Sequence, residues 1–530
     1  MIVFALVVFL MSCITWIAFW ATISNYDKKT SVILFFVSLV LTLFWLIAWL
    51  PFFQPMFFYL FYGVLGFWIV LSLILISAAF IGLIVKSWGA SGVYFLICFV
   101  IWLIIFGSFN SSWTRQNIYK SLAYEEVEIM PNTTAVRYLP LEVAWRYGEN
   151  RLQEPMVQHV DADPVIKGNE MHWILTRAPR GFWNEALRNS DGFTIVDSRG
   201  DVSTIRQKMT IGEGMLGSDH ILWKLRQKRY WSEVTEIYYI QSEKEEVVAV
   251  APYLNYSFKF PVMVPHFGGV FLVHSNGSVE DLTPQEAMQN HLLKDARIFP
   301  EKLARLYVEA YAYKNGIANT IFKHQDQIEI PSVGPSETGY LVNEMPFLLP
   351  TDLGQKWVVA ANAWGAQGIY RLFFVDAITG KVELLTMSGD STLIGPIRAR
   401  DYVVRAYPAF KWDQILVLEP RPIMKQGVLY WMFTLTPNTF AGIVDTVLVN
   451  SQTNEVLSLG SNYQEMIGFL LGEKKGRIAG IGESPIIDAT GQIINQTVDK
   501  LSQKELRQVI GQLKELTDRL ERLLPSLPEK

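Results

Sequence analysis

The chain has only two cysteines among its 530 residues, Cys13 and Cys98, and both lie in apolar runs. The long polar part therefore has no disulfide, no thiolate nucleophile and no Cys-ligated metal site. That absence suits an envelope compartment as well as a cytosol. Charge is scarce too. Asp, Glu, Lys and Arg make up 18% of the chain against 50% hydrophobic residues, a low share for a soluble protein. Between Lys29 and Lys86 there is no charged residue at all. So long an uncharged apolar run excludes a wholly soluble protein and a disordered chain. The seven His are scattered, with no HExxH, no His pair at metal spacing and no Gly-x-Ser-x-Gly elbow. No catalytic residue, cofactor or metal is assigned from the sequence.

What is present begins with four apolar segments, at about 1–22, 32–52, 56–85 and 88–109. About 20 residues cross the hydrocarbon core, so the fold class expected is a multi-pass anchor of four helices (residues 1–110) followed by a large α+β extramembrane region. The first segment lacks a basic leader region and a clear cleavage site, which reads as a retained helix. Pro51 and Pro55 bracket a turn, and Phe57, Phe58, Tyr59, Phe61 and Tyr62 form an aromatic belt. No ionisable residue falls inside a span, so the helices are expected to anchor rather than transport. With four spans, Lys28, Lys29 and Lys86 share one face while Arg115 and Lys120 lie on the other. The positive-inside tendency then places the polar region outside the cytoplasm, in a multi-pass cell-membrane protein. Through Phe106 the charge is +2, against −4 for the whole chain. An acidic extramembrane part argues against nucleic acid as a partner.

That part is expected to hold antiparallel sheets with tandem hairpin modules, two in 111–335 and two in 336–483, then a hairpin and an amphipathic helix in 484–530. A pattern of apolar strand, turn and Val or Ile recurs as TIVDSRGDV (194–202), FLVHSNGSV (271–279), FFVDAITGKV (373–382) and VLVNSQTNEV (447–456), with an echo at 486–493. Asp197, Asp376 and Asn450 stand where a side chain can bond the backbone of the turn, and His274 occupies that position in the second copy. Gly200, Gly277, Gly380 and Asn454 stand where positive φ is needed. Thr283-Pro284 with Glu286 predicts a helix start, and a second helix is predicted over about 301–314. At the C-terminus Leu506, Val509, Leu513, Leu516, Leu520 and Leu523 alternate by three and four, an a/d stripe suited to packing on its own domain or to self-association.

The segments GIYRLFFVDAITGKVELL (368–385) and VDTVLVNSQTNEVLSL (444–459) resemble the closing hairpin of PepSY-type domains. The resemblance implies small α/β modules, secreted or membrane-attached, that modulate peptidases or act as binding modules.

Other patterns carry weaker chemistry. Gly212-x-Gly214-x-x-Gly217 matches a dinucleotide fingerprint, but nothing around it reads as βαβ. Lys224, Arg226, Lys228 and Arg229 interleave with Trp223, Tyr230 and Trp231. This cluster could touch anionic headgroups, the plainer reading being a solvated helix face. Asp161 and Asp163 could bind a cation, the plainer reading again being solvation. The function expected is a membrane-anchored, non-catalytic envelope protein presenting modules for protein binding or scaffolding. Its partners would be the bilayer, a protein, and a second copy through the C-terminal helix. The alternatives are a PepSY-like regulator or chaperone of a peptidase and a membrane enzyme acting on lipid or cell-wall substrate.

Overall fold

The computed structural model describes residues 49–479 except 168–169, 242–245, 332–343, 388–392 and 440, together with Thr30, Ile33 and the strand pair Ile486–Ile487 and Ile493–Ile494. Among these residues two helices, not four, are long and apolar enough to cross a membrane. The four-helix anchor is thereby overturned. Its first segment and nearly all of its second lie outside the described residues, and the third is broken. Residues Leu50–Phe57 form a short helix, α1, and Phe58–Tyr62 a single π-helical turn. Of this segment only Leu65–Val85, α2, is long and apolar enough to cross a membrane. Its 21 residues reach about 32 Å at 1.5 Å per residue, enough for the hydrocarbon core. The fourth segment runs on as one helix of 34 residues, α3 at Trp88–Ser121, about 20 Å longer than the core is thick.

The break has a physical reason. α1 docks its apolar face on the extramembrane body, where Phe53 and Met56 are buried. Gln54 Nε2 donates to the carbonyls of Tyr230 at 2.8 Å and Ser232 at 3.3 Å. A glutamine bonded to protein carbonyls belongs at the edge of the body rather than among lipid tails. By contrast Leu73, Ile76, Phe80, Leu83 and Ile84 of α2 stand exposed, as a lipid-facing surface requires.

Beyond α3 the chain builds four units of one plan, each a helix followed by a four-strand antiparallel meander. Unit one has α4 (Leu141–Arg151), β1 (Val157–Lys167), β2 (Glu170–Pro179), β3 (Gly192–Val196) and β4 (Val202–Ile205). Unit two has α5 (Ile221–Lys228), β5 (Tyr238–Gln241), β6 (Val247–Lys259), β7 (Val262–Val273) and β8 (Val279–Leu282). Unit three has α6 (Glu301–Tyr311), β9 (Phe347–Thr351), β10 (Gly354–Ala363), β11 (Gly368–Asp376) and β12 (Val382–Thr386). Unit four has α7 (Pro396–Ala406), β13 (Ile415–Lys425), β14 (Val428–Pro437), β15 (Asp445–Asn450) and β16 (Val456–Ser458). The third unit therefore starts at its helix, before residue 336, and short flanking strands extend three of the sheets.

The four units also share a register. On the third strand Val196, Val273, Val375 and Val449 stand opposite Trp173, Ala249, Trp357 and Trp431 of the second strand. Alternation along each strand then sends its two faces into different cores. In β2, Trp173 and Leu175 pack with unit four, while Ile174 packs with unit two. In β14, Trp431 and Phe433 pack with unit three, while Met432 packs with unit one. The sheets thus bury both faces, and their strands read as nearly continuous apolar runs rather than alternating ones.

Candidate functional site

The third-to-fourth-strand turns are structural. Asp197 Oδ1 accepts from the amides of Arg199 and Asp201 at 2.9 and 2.8 Å. Asp376 Oδ1 accepts from Ile378 and Thr379 at 3.1 and 2.8 Å, and Asn450 Oδ1 from Gln452 and Thr453 at 2.9 and 3.1 Å. In unit two the acceptor moves to Asn276, which takes the Ser278 amide at 2.9 Å, while His274 Nε2 reaches Glu280 at 3.0 Å. Gly200, Gly277, Gly380 and Asn454 all hold positive φ. These turns project no shared chemistry. The last copy's turn and the C-terminal stripe from Leu506 to Leu523 lie outside the described residues.

The basic cluster divides. Arg226 donates to the Pro51 carbonyl at 3.3 Å, and Arg229 pairs with Asp281 at 2.7 Å. Lys224 and Lys228 stand on the same helix, α5, beside the docked α1. Gly212 and Gly217 belong to a turn leading into α5. The helix cap there is the His220 ring, accepting from the Leu222 amide at 3.1 Å, rather than Ser218.

Asp161 and Asp163 are where the sequence reading fell short. They sit two apart on β1, on one face of the strand, and line a cavity of about 310 Å³ between units one, two and three. Asp163 is only 7% exposed. Glu236 from unit two and Arg297 and Glu301 from the start of unit three complete its charged wall. Trp173, Trp357, Met171 and Ile237 supply the apolar wall. Arg297 holds the site together. Its Nη2 lies 3.0 Å from Asp163 Oδ1, its Nη1 donates to the Pro164 carbonyl at 2.9 Å, and its Nε stands 3.8 Å from Glu236. Glu236 in turn accepts the Glu301 amide at 3.2 Å. The guanidinium lies 4.3 Å over the Tyr238 ring, whose hydroxyl donates to the Arg297 carbonyl at 2.6 Å. Arg137, also on the wall, is committed to Glu419 and to Trp173, 5.3 Å away.

With Arg137 committed elsewhere, Arg297 alone faces the four carboxyls of Asp161, Asp163, Glu236 and Glu301. Burial raises the pKa of Asp163 well above the carboxylate range despite Arg297, and burial raises those of Asp161 and Glu236 too. Burial, with Glu236 nearby, pushes Glu301 up to about 7. Burial and Asp161 push nearby Glu213 up to about 8. Among the described residues no group of three or more His, Cys, Asp or Glu is placed to hold a metal ion. The arrangement can accept hydrogen bonds, hold protons near neutrality and favour a cation. The one local signal in the sequence was the Asp-x-Asp spacing, and it could not reveal partners supplied by other units.

No family model matches the chain, and no curated protein or solved structure shows significant similarity to it.

Proposed function

We propose that the chain is a membrane-anchored, non-catalytic binding or scaffolding protein that presents its α+β units to a protein partner at a fixed orientation on the bilayer. The observation that carries this reading is the junction. α3 passes from lipid into the body without a linker, and Arg115 near its end pairs with Glu309 of α6 at 2.7 Å. Gln54 of α1 and Tyr62, whose hydroxyl donates to the Tyr256 carbonyl at 3.1 Å, fix the other side. A body held this way meets partners at constant height and angle, which a flexibly tethered domain does not. PepSY-like peptidase control is a special case of this reading.

Sidedness is proposed anew. Among the described residues, Lys86 is the one charge at the far turn of the α2–α3 hairpin, while Arg115 and Lys120 stand on the body's side. Lys224 and Lys228 also stand there. This distribution favours a body on the cytoplasmic face. Asn276 is exposed and the described body has no cysteine. Asn276→Cys labelled by an impermeant thiol reagent only after lysis would support the proposal. Labelling in intact cells would reverse it and return the partner search to the envelope.

A second reading, an enzyme acting on a lipid substrate, is favoured by the carboxyls of Glu301 and Glu213, which lie near the range of a general acid or base. It requires lipid turnover that Glu301→Gln abolishes.

A further inference from the structure

The cavity between units one, two and three has more acceptor capacity than the protein uses. Asp163 is 7% exposed, lines the cavity, and has no hydrogen-bond partner on Oδ2. Its other oxygen is held by Arg297. A buried carboxyl oxygen without a hydrogen-bond partner is costly unless something brings one. Arg297 does not reach it: its Nη2 is on Asp163 Oδ1 and its Nη1 on the Pro164 carbonyl, and Oδ2 is left without a donor. Arg137 is turned instead to Glu419. Asp161 and Glu301 place two more carboxyls on the same wall. Trp173 and Trp357, which Arg137 and Arg297 already cover at 5.3 and 6.0 Å, line the same cavity, as do Met171 and Ile237.

We propose that this cavity binds an alkylammonium group, carried either by a free amine or by a lysine side chain. The ammonium supplies compact donors to Asp163 Oδ2 and its neighbouring carboxyls, and a charge-assisted bond of this kind is the stronger sort. The methylene chain lies against the apolar lining of Met171 and Ile237. A volume of about 310 Å³ is at the lower end of ligand pockets and suits a short amine rather than a large ligand. The site goes beyond the binding-platform reading and is independent of it, so its failure leaves that reading standing.

The test is calorimetry on the full chain in detergent micelles. The probes are 1,5-diaminopentane, the neutral 1,5-pentanediol, and a lysine-containing peptide with and without Nε-acetylation. The diamine or the unmodified peptide is expected to bind saturably, and the diol and the acetylated peptide are not. Binding of the peptide alone assigns the group to a protein lysine, and binding of the diamine alone assigns it to a free amine. Asp163→Asn and Glu301→Gln are each expected to weaken binding roughly tenfold or more. Should Asp163→Asn fail to fold, Glu301→Gln, at the half-buried start of α6, decides the matter. Absence of binding by both amines, equal binding of the diol, or wild-type affinity in Glu301→Gln would overturn the proposal.

Discussion

The indole N–H of Trp357 donates to the backbone carbonyl of Phe299 at 2.9 Å, tying the second strand of unit three to the residue just before its helix cap. The same bond joins Trp173 to Leu139 at 3.0 Å and Trp431 to Ile394 at 2.9 Å, each acceptor again preceding the cap residue. Three units thus fix helix to sheet by one device. Unit two carries Ala249 at the matching register and lacks it. Replacing Trp357 by Phe keeps an aromatic ring but removes the donor from a buried carbonyl. The expected cost is about 1–3 kcal/mol, read by denaturant unfolding of the purified protein. Stability equal to the wild type would show that the bond is incidental to the unit.

Gly380 and Gly427 separate backbone freedom from packing. Both hold φ +76, so a Cβ at either strains the backbone by about 1–2 kcal/mol. At Gly427 a Cβ meets nothing within 4 Å, whereas at Gly380 it lies 2.1 Å from the Phe299 ring. Gly380→Ala is therefore expected to lower the thermal midpoint clearly more than Gly427→Ala. Equal losses would mean that Phe299 moves aside at no cost.

Turn chemistry of this kind is local, which is why hairpins and helix starts could be read from the chain. The capping box of Thr283 with Glu286 is one case: Thr283 Oγ1 accepts the Glu286 amide, and the Glu286 carboxylate takes the Thr283 amide. What stayed hidden depended on distance or on burial of both faces. Asp163 and Arg297 are 134 positions apart, and nothing near Asp163 announces the guanidinium that meets it. The Trp register was masked because each strand around it is apolar on both sides. The membrane count failed for a related reason. Apolar residues that dock on a body and those that face lipid have the same composition, and only the contacts of Phe53 and Gln54 distinguish them.

Glu213 and Glu301 give the protein a defined pH response. Their ordinary value is 4.5, and in the folded chain they stand at about 8 and about 7. Below 4.5 both states are protonated and these groups are neutral to stability. As pH rises above it, the unfolded chain releases protons that the folded chain retains, so the folded state loses ground until pH passes the raised values. The wild type should therefore lose thermal stability through these groups between about pH 4.5 and pH 8. Glu213→Gln and Glu301→Gln should each flatten that decline, in melts run at about pH 5.5 and pH 8.5. A decline of unchanged slope in both variants would assign it to other groups.

The junction between lipid and body makes the sharpest steric prediction. Near the start of α2, Gly66 lies so close to the β6–β7 hairpin that a Cβ there would stand 1.6 Å from the Pro261 carbonyl oxygen. The obstacle is backbone, so no side-chain rotation relieves it, and α2 or the hairpin must move. On the companion helix α3, a Cβ at Gly92 meets nothing within 4 Å. Both changes raise helix propensity alike, by up to about 1 kcal/mol, so propensity alone predicts the same small gain for each. Contact predicts a split. Gly92→Ala should behave as wild type, while Gly66→Ala should open the junction and expose the segment around Phe258 and Phe260 to limited proteolysis in micelles. Unchanged proteolysis in Gly66→Ala would mean that the body does not sit on the membrane helices as tightly as the Gly66–Pro261 approach requires, and the fixed orientation proposed for the binding units would fall with it.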